Sequence, residues 1–97
     1  MPTNVLMKSK VVLSRDELAD VLESLATKIR DGQMTLSGGG NAVTLDLPTV
    51  MRVETEVKDS VKPKRTTREL EIEIEWRVDE TGQPLSDPKA AQALTIS

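Results

Sequence analysis

The sequence predicts an α+β fold in which one helix packs on a mostly antiparallel sheet, in the order β-α-β-β-β-β. One segment repeats apolar residues at helical spacing, whereas several others alternate apolar and polar residues. Glycine- and proline-containing turns separate these segments. The chain has 97 residues, which is the length of one domain. We expect that domain over residues 4–79, followed by a flexible or weakly helical tail over 80–97.

The first predicted strand runs from Val5 to Leu13. Val5, Met7, Val11 and Leu13 share one face, and lysines occupy the other. Such alternation is typical of a strand with one buried side, although Ser9 interrupts the apolar set.

A helix is predicted to follow at once, because Ser14 to Glu17 has the pattern of a capping box. The serine hydroxyl and the glutamate carboxylate can each bond the other residue's backbone N–H. Gly32 is a natural left-handed terminator, which places the helix over 15–31. Its apolar stripe comprises Leu18, Val21, Leu22, Leu25 and Ile29.

A hairpin is predicted next, with strands over 33–37 and 41–47 on either side of a glycine triplet. Glycine tolerates the positive φ angles that tight hairpin turns require. Met34 and Leu36 would then face Val43, Leu45 and Leu47. The alternative, a phosphate-binding loop, is disfavoured because the lysine and the spacing of known phosphate motifs are missing.

Two more strands, over 49–58 and 67–78, are predicted to pair as an antiparallel hairpin. A loop over 59–66 joins them and is too short for a parallel crossover. In the tail, Ser86 or Asp87 could cap a short helix that includes Ala90, Ala91, Ala93 and Leu94.

Composition limits the chemistry. The chain contains no histidine, cysteine or tyrosine, so histidine-based catalysis and ordinary zinc sites are excluded. We therefore expect a protein that is not an enzyme and needs no cofactor. A net charge of −3 argues against general nucleic-acid binding. Without an apolar run long enough to span a bilayer, we expect no membrane insertion and a cytoplasmic location.

The chain resembles the Amphi-Trp domain family, a group of small prokaryotic domains. The most specific element is the segment from Glu69 to Trp76, with sequence LEIEIEW after Glu69. A lysine-bearing first strand, a capped helix and a glycine-rich hairpin add to the resemblance, which covers Val5 to Val78. The resemblance implies a compact α+β domain and carries over no catalytic or ligand residues.

The segment over 67–78 also places a row of glutamates on one strand face. This glutamate row comprises Glu69, Glu71, Glu73 and Glu75, and pairing with the preceding strand would add Glu54 and Glu56. Like charges across strands are destabilising. An ordinary solvated face is the favoured interpretation, docking of a basic protein is the second, and a divalent-ion site is the third.

Trp76 lies on the apolar side of the same predicted strand. Core packing is the favoured interpretation, and an exposed ring would instead be a candidate contact hot spot. The basic segment over 58–68 contains Lys62, Lys64 and Arg65. A solubilising loop is favoured there over an anion-binding site.

These observations predict a non-enzymatic protein-interaction module that presents a charged sheet face to an unknown protein partner. Weak anion or nucleic-acid binding through 58–68 is the alternative, although nucleic acid is the less favoured ligand. A homodimer is a further option, because an open sheet has edges that can pair.

Overall fold

The computed structural model describes residues 2–88 and 93–97. It contains one helix and several antiparallel strand pairs, so the predicted α+β class is confirmed. The chain divides into two compact units, one up to Leu47 and the other from Pro48 onward. The helix and one hairpin form the first unit, and the remaining strands form the second.

Helix α1 spans Arg15–Asp31, as the sequence predicted. Ser14 and Glu17 make both capping-box bonds: Glu17 N–H donates to the serine Oγ over 3.1 Å, and Ser14 N–H donates to a glutamate oxygen over 2.9 Å. Gly32 ends the helix with a φ of +82°, a conformation that costs glycine little. The stripe is half-buried at Leu25 and Ile29 and more exposed toward the N-terminus of the helix.

The first hairpin consists of β1 (Gln33–Gly38) and β2 (Asn41–Asp46). Its turn residues, Gly39 and Gly40, have φ values of +59° and +80°, as a type I′ turn requires. Opposite residues include Met34 with Leu45 and Leu36 with Val43, which confirms the predicted register. Strand β1 lies against α1.

Among the described residues, Met34 is the one hydrophobic residue that is buried; 7% of its surface is exposed. Val43, Leu45 and Leu47 are half-buried. Beyond β2, the Leu47 N–H donates to the Gly32 carbonyl over 2.8 Å. The end of the hairpin is thereby tied to the end of the helix.

The predicted first strand, from Val5 to Leu13, is not found among the described residues. This segment runs without secondary structure and approaches the β1–β2 turn. A Cβ added to Gly39 would lie 2.8 Å from the Lys8 carbonyl oxygen. An alternating sequence forms a strand only if its backbone can hydrogen-bond to a neighbouring parallel or antiparallel strand. This segment lies against a turn, which offers no such strand.

The second hairpin consists of β3 (Arg52–Lys62) and β4 (Arg65–Glu75). Antiparallel pairing is confirmed, with Val57 opposite Leu70. The predicted loop over 59–66 is wrong, because both strands extend to a turn at Pro63 and Lys64. Proline fixes a negative φ suited to the first central turn position, so the hairpin closes within two residues.

The strand predicted over 67–78 is broken at Trp76. Strand β4 ends at Glu75, and the next two residues form β5 (Arg77–Val78), which pairs with β6 (Pro84–Leu85). The Asp79 carboxylate accepts from Thr81 N–H over 2.8 Å and from Gln83 N–H over 2.9 Å. The turn that this side chain stabilises reverses the chain. Strand β5 therefore pairs with β6, whereas β4 pairs with β3.

The strands of the described residues form three two-stranded sheets, whereas the sequence predicted one sheet. In this part of the chain the order is a helix followed by six strands. For the predicted tail helix, residues 89–92 lie outside the described residues, and neither 86–88 nor 93–97 is helical. The described residues include no helix with both the length and the apolar character of a membrane span.

Candidate functional site

The β3–β4 hairpin carries a strongly acidic face. Opposite residues of an antiparallel pair project to the same side, so the register adds two β3 glutamates to the glutamate row. We call this surface the glutamate face; its members are Glu54, Glu56, Glu69, Glu71, Glu73 and Glu75. Arg52 and Lys58 also project to this side. The predicted position of Glu54 and Glu56 beside the row is confirmed.

Lys58 compensates the negative charge at one end of the glutamate face. Its Nζ lies 3.3 Å from Glu71, 3.5 Å from Glu56 and 3.9 Å from Glu69. The hydrogen bond to Glu71, with the nearby carboxylate charges, raises the pKa of the Lys58 ammonium. One cation therefore relieves the repulsion between Glu56 and Glu71, which lie directly opposite each other.

The negative charges in the middle of the glutamate face are less well compensated by cations. Glu54 lies directly opposite Glu73, and neither side chain makes an ion pair with any residue in the described part of the chain. Arg52 pairs with Glu75 over 3.6 Å instead. Two opposed carboxylates thus remain without a cation at the centre of this surface.

The reverse side of the hairpin is apolar and exposed. Val57 and Leu70, at its centre, each leave 65% of their surface accessible. Val53, Val61 and Ile72 lie on the same side and are also exposed. Asp59 and Arg68 interrupt this surface with a two-point ion pair at 2.7 and 3.0 Å, and the hydrogen bond from Arg68 lowers the pKa of the Asp59 carboxyl.

Three basic residues cluster at the end of the β3–β4 hairpin. Lys62 and Arg65 are opposite each other, and Lys64 occupies the turn. Within residues 2–88 and 93–97 none of the three forms an ion pair, whereas Lys58 and Arg68 of the same predicted basic segment do. We call Lys62, Lys64 and Arg65 the basic tip.

Trp76 lies in an open cleft of about 470 Å³, between the end of β4 and the start of β5. The ring is half-buried, which lies between the two predicted alternatives of core packing and full exposure. Arg52, Glu75, Arg77 and Asp87 line the rest of the cleft. Arg77 pairs with Asp87 over 3.6 Å, so each arginine of the cleft has one carboxylate partner.

The sequence analysis did not place Asp87 beside Trp76. Asp87 belongs to the predicted tail, and its N–H donates to the Val50 carbonyl over 3.0 Å. The adjacent Ser86 hydroxyl accepts from the backbone of Thr49 and of Val50. No spacing rule links residues 86–87 with 49–50, so no sequence signal could have placed Asp87 in the cleft.

The carboxylates of the glutamate face are spread along two strands. Successive residues on one side of a strand are roughly 7 Å apart, and the carboxylates project side by side from the sheet. Among the described residues, no group of three or more carboxylates is arranged to hold a metal ion.

These features define a small α+β protein in which an amphipathic strand leads directly into its single tryptophan. The Amphi-Trp domain model matches residues 1–97, so the chain belongs to the Amphi-Trp domain family. The match extends beyond the Val5–Val78 span of the sequence resemblance and includes the segment after Glu80. No curated protein and no solved structure matches the chain.

Proposed function

We propose that the protein is a non-enzymatic interaction module whose glutamate face binds a basic surface of another protein. The observation that carries this proposal is the opposed pair Glu54 and Glu73, which has no cation partner in the described chain. A lysine or arginine of a partner would relieve repulsion that the fold leaves in place. Such charge complementarity would favour selective binding and fast association.

Trp76 follows the end of β4 and lies in a cleft that also includes Arg52 and Glu75. Its half-buried ring combines apolar area with nearby arginine and carboxylate groups, and tryptophan is enriched among the residues that dominate binding energy. We therefore assign partner contact to Glu69, Glu71, Glu73, Glu75 and Trp76. The absence of histidine, cysteine and tyrosine supports a role without catalysis.

The cytoplasmic location is also part of this proposal, as is the packing of the apolar stripe of α1 on the antiparallel β1–β2 sheet. The amphipathic pattern of α1 supports the packing, because one side of the helix is apolar and the other is charged.

The proposal is tested by placing a photo-crosslinking residue at position 73 and identifying the captured protein, with position 20 on α1 as the control position. The purified partner is then titrated with wild type and with Glu54→Gln/Glu73→Gln. Because charge attraction carries the contact, we expect weaker binding by the double variant and weaker wild-type binding at high salt.

A matched control is Asp20→Asn/Glu23→Gln, which removes the same charge from α1. Binding that is equally strong in wild type and Glu54→Gln/Glu73→Gln would show that the glutamate face is not the docking surface.

The basic tip supports a second candidate function, weak binding of an anion or of a nucleic-acid backbone. Its three cations have no ion pair in the described chain, so they are available to phosphate groups. A fluorescent single-stranded oligonucleotide should bind wild type more strongly than Lys62→Ala/Lys64→Ala/Arg65→Ala, and less strongly as salt rises. Equal binding by the two proteins, or no salt dependence, would exclude this function.

A further inference from the structure

The β3–β4 hairpin is a two-stranded sheet of unusual length. Each strand has 11 residues, and neither pairs with a further strand in the part of the chain that the structure describes. An isolated two-stranded hairpin is marginally stable in water, and a third or fourth strand supplies the missing stability. The outer edges of β3 and β4 also present backbone N–H and C=O groups that another strand can bind.

We propose that a second copy of this chain pairs with the outer edge of β3. The two β3 strands run antiparallel about a twofold axis at Val57, and a four-stranded sheet results with order β4-β3-β3-β4. Val57 is the middle residue of Arg52–Lys62, so this register pairs the whole length of both strands. The contact is made by the backbone edge of β3, and the inference does not require a partner protein to bind the glutamate face.

Charge selects this register. With Val57 opposite Val57, each Glu56 lies opposite Lys58 of the second copy, and symmetry makes two such attractive pairs. Glu54 meets an uncharged partner, Ser60. The like-charged pair of Arg52 and Lys62 falls at the exposed ends, where Glu75 already lies 3.6 Å from Arg52. Opposite charges across strands stabilise a sheet.

The apolar side of the hairpin agrees with the same register. Val53 of one copy lies opposite Val61 of the other, and the central valines meet on the axis. The exposed apolar surfaces of the two hairpins thereby become one continuous surface. Valine pairs of this kind are favourable across antiparallel strands.

The edge of β4 is less suitable for self-pairing. The middle of Arg65–Glu75 is Leu70, and a twofold axis there would place each Glu69 opposite Glu71 of the second copy. Directly opposed carboxylates are destabilising. The charge pattern therefore assigns the contact to β3.

The first test uses charge reversal with the full chain, with mass measured by sedimentation over a range of concentrations. Wild type should dimerise. Glu56→Lys should weaken the dimer at least about tenfold, because two attractive pairs become two repulsive pairs. Within one chain the same change places a lysine opposite Glu71, so the hairpin itself should remain folded, which circular dichroism verifies.

Glu73→Lys is the matched control, since it makes the same charge change on the outer strand and should leave the dimer intact. A second test uses the absence of native cysteine. Val57→Cys should form a disulfide-linked dimer when treated with oxidised glutathione, because directly opposed strand residues have a Cα separation that a disulfide can bridge. Leu70→Cys should not, because the two positions would be three strand spacings, roughly 14 Å, apart.

A wild-type protein that stays monomeric at every concentration would overturn the proposal. A dimer that is unaffected by Glu56→Lys, or that crosslinks through Leu70→Cys and not through Val57→Cys, would also overturn it.

Discussion

Lys58 shows how one side chain can determine the character of a surface. Its ammonium lies within 3.9 Å of three carboxylates and thereby offsets one of the two opposed glutamate pairs. The sequence contains other lysines close by, but only the register decides which of them reaches the glutamates. Lys62 is four residues away on the same face and belongs to the basic tip instead.

At the residue scale, Gly39→Ala should be more destabilising than Gly40→Ala. Both positions have positive φ, which costs an alanine about 1–2 kcal/mol. A Cβ at Gly39 would also meet the Lys8 carbonyl oxygen at 2.8 Å, whereas Gly40 has open space. Urea unfolding of both variants measures the difference. Equal losses would show that residues 7–9 do not lie against this turn in solution.

The carboxylate of Asp79 gives a pH prediction at the same scale. Its hydrogen bonds from the Thr81 hydroxyl and from the Gln83 backbone lower the pKa of Asp79. A lowered native pKa contributes stability at neutral pH, and that contribution is lost as pH falls from the ordinary aspartate range through the native value. Asp79→Asn keeps an acceptor oxygen and removes the titration.

We therefore expect the acid-side decline in the urea-unfolding midpoint to be shallower for Asp79→Asn than for wild type. Glu80→Gln is the control, because Glu80 takes no part in the hydrogen bonds of this turn. A decline as steep in Asp79→Asn as in wild type would contradict the assignment.

At the scale of the element, each side of the β3–β4 hairpin carries a different unfavourable feature. One side collects like charges that repel, and the other exposes apolar side chains to water. The Asp59–Arg68 ion pair on the apolar side keeps that surface from being uniformly hydrophobic. The hairpin is therefore held in register by charge as well as by its turn.

The repulsion within the element can be measured by Glu54→Lys. A lysine opposite Glu73 converts a like-charged pair into an attractive pair, and we expect a gain of about 0.2–1 kcal/mol in unfolding free energy. The gain should shrink as salt rises. Glu80→Lys makes the same charge change in a turn and should give no comparable gain. A destabilised Glu54→Lys protein would show that Glu54 and Glu73 are not cross-strand neighbours.

At the scale of the whole molecule, residues 84–87 are bonded to segments that lie earlier in the chain. Strand β6 pairs with β5, and Ser86 and Asp87 bond the backbone near Val50. The match of the family model over the full chain agrees with this role. Truncation experiments can test it, because Trp76 is the single tryptophan and reports on its own surroundings.

Deletion of residues 80–97 should shift the Trp76 fluorescence emission to the red. The deletion removes Asp87 from the cleft and β6 from its pairing with β5, so the ring becomes more accessible to water. Truncation after Pro88 keeps both features and should leave the emission unchanged. Identical spectra for the two truncated proteins would contradict a structural role for residues 80–88.

Local sequence patterns correctly predict the helix with both of its ends, the glycine hairpin and the pairing of the two charged strands. Each depends on contacts between residues close in the chain: a capping box, a turn type or a short connection. Periodicity likewise predicted which side of β4 carries the glutamates. The same local reasoning extended two patterns too far, at Val5–Leu13 and at Trp76.

The tertiary structure sets the conformation of those two segments through contacts with residues distant in the chain. Residues 7–9 meet a turn and not a strand edge, and β5 finds β6 as its partner after an aspartate turn. It also decided that Lys58 reaches three glutamates while Glu54 and Glu73 remain without a cation in the described chain. Pairing depends on which backbone and side-chain groups meet in space, and the alternation within one segment does not show which distant segment it meets.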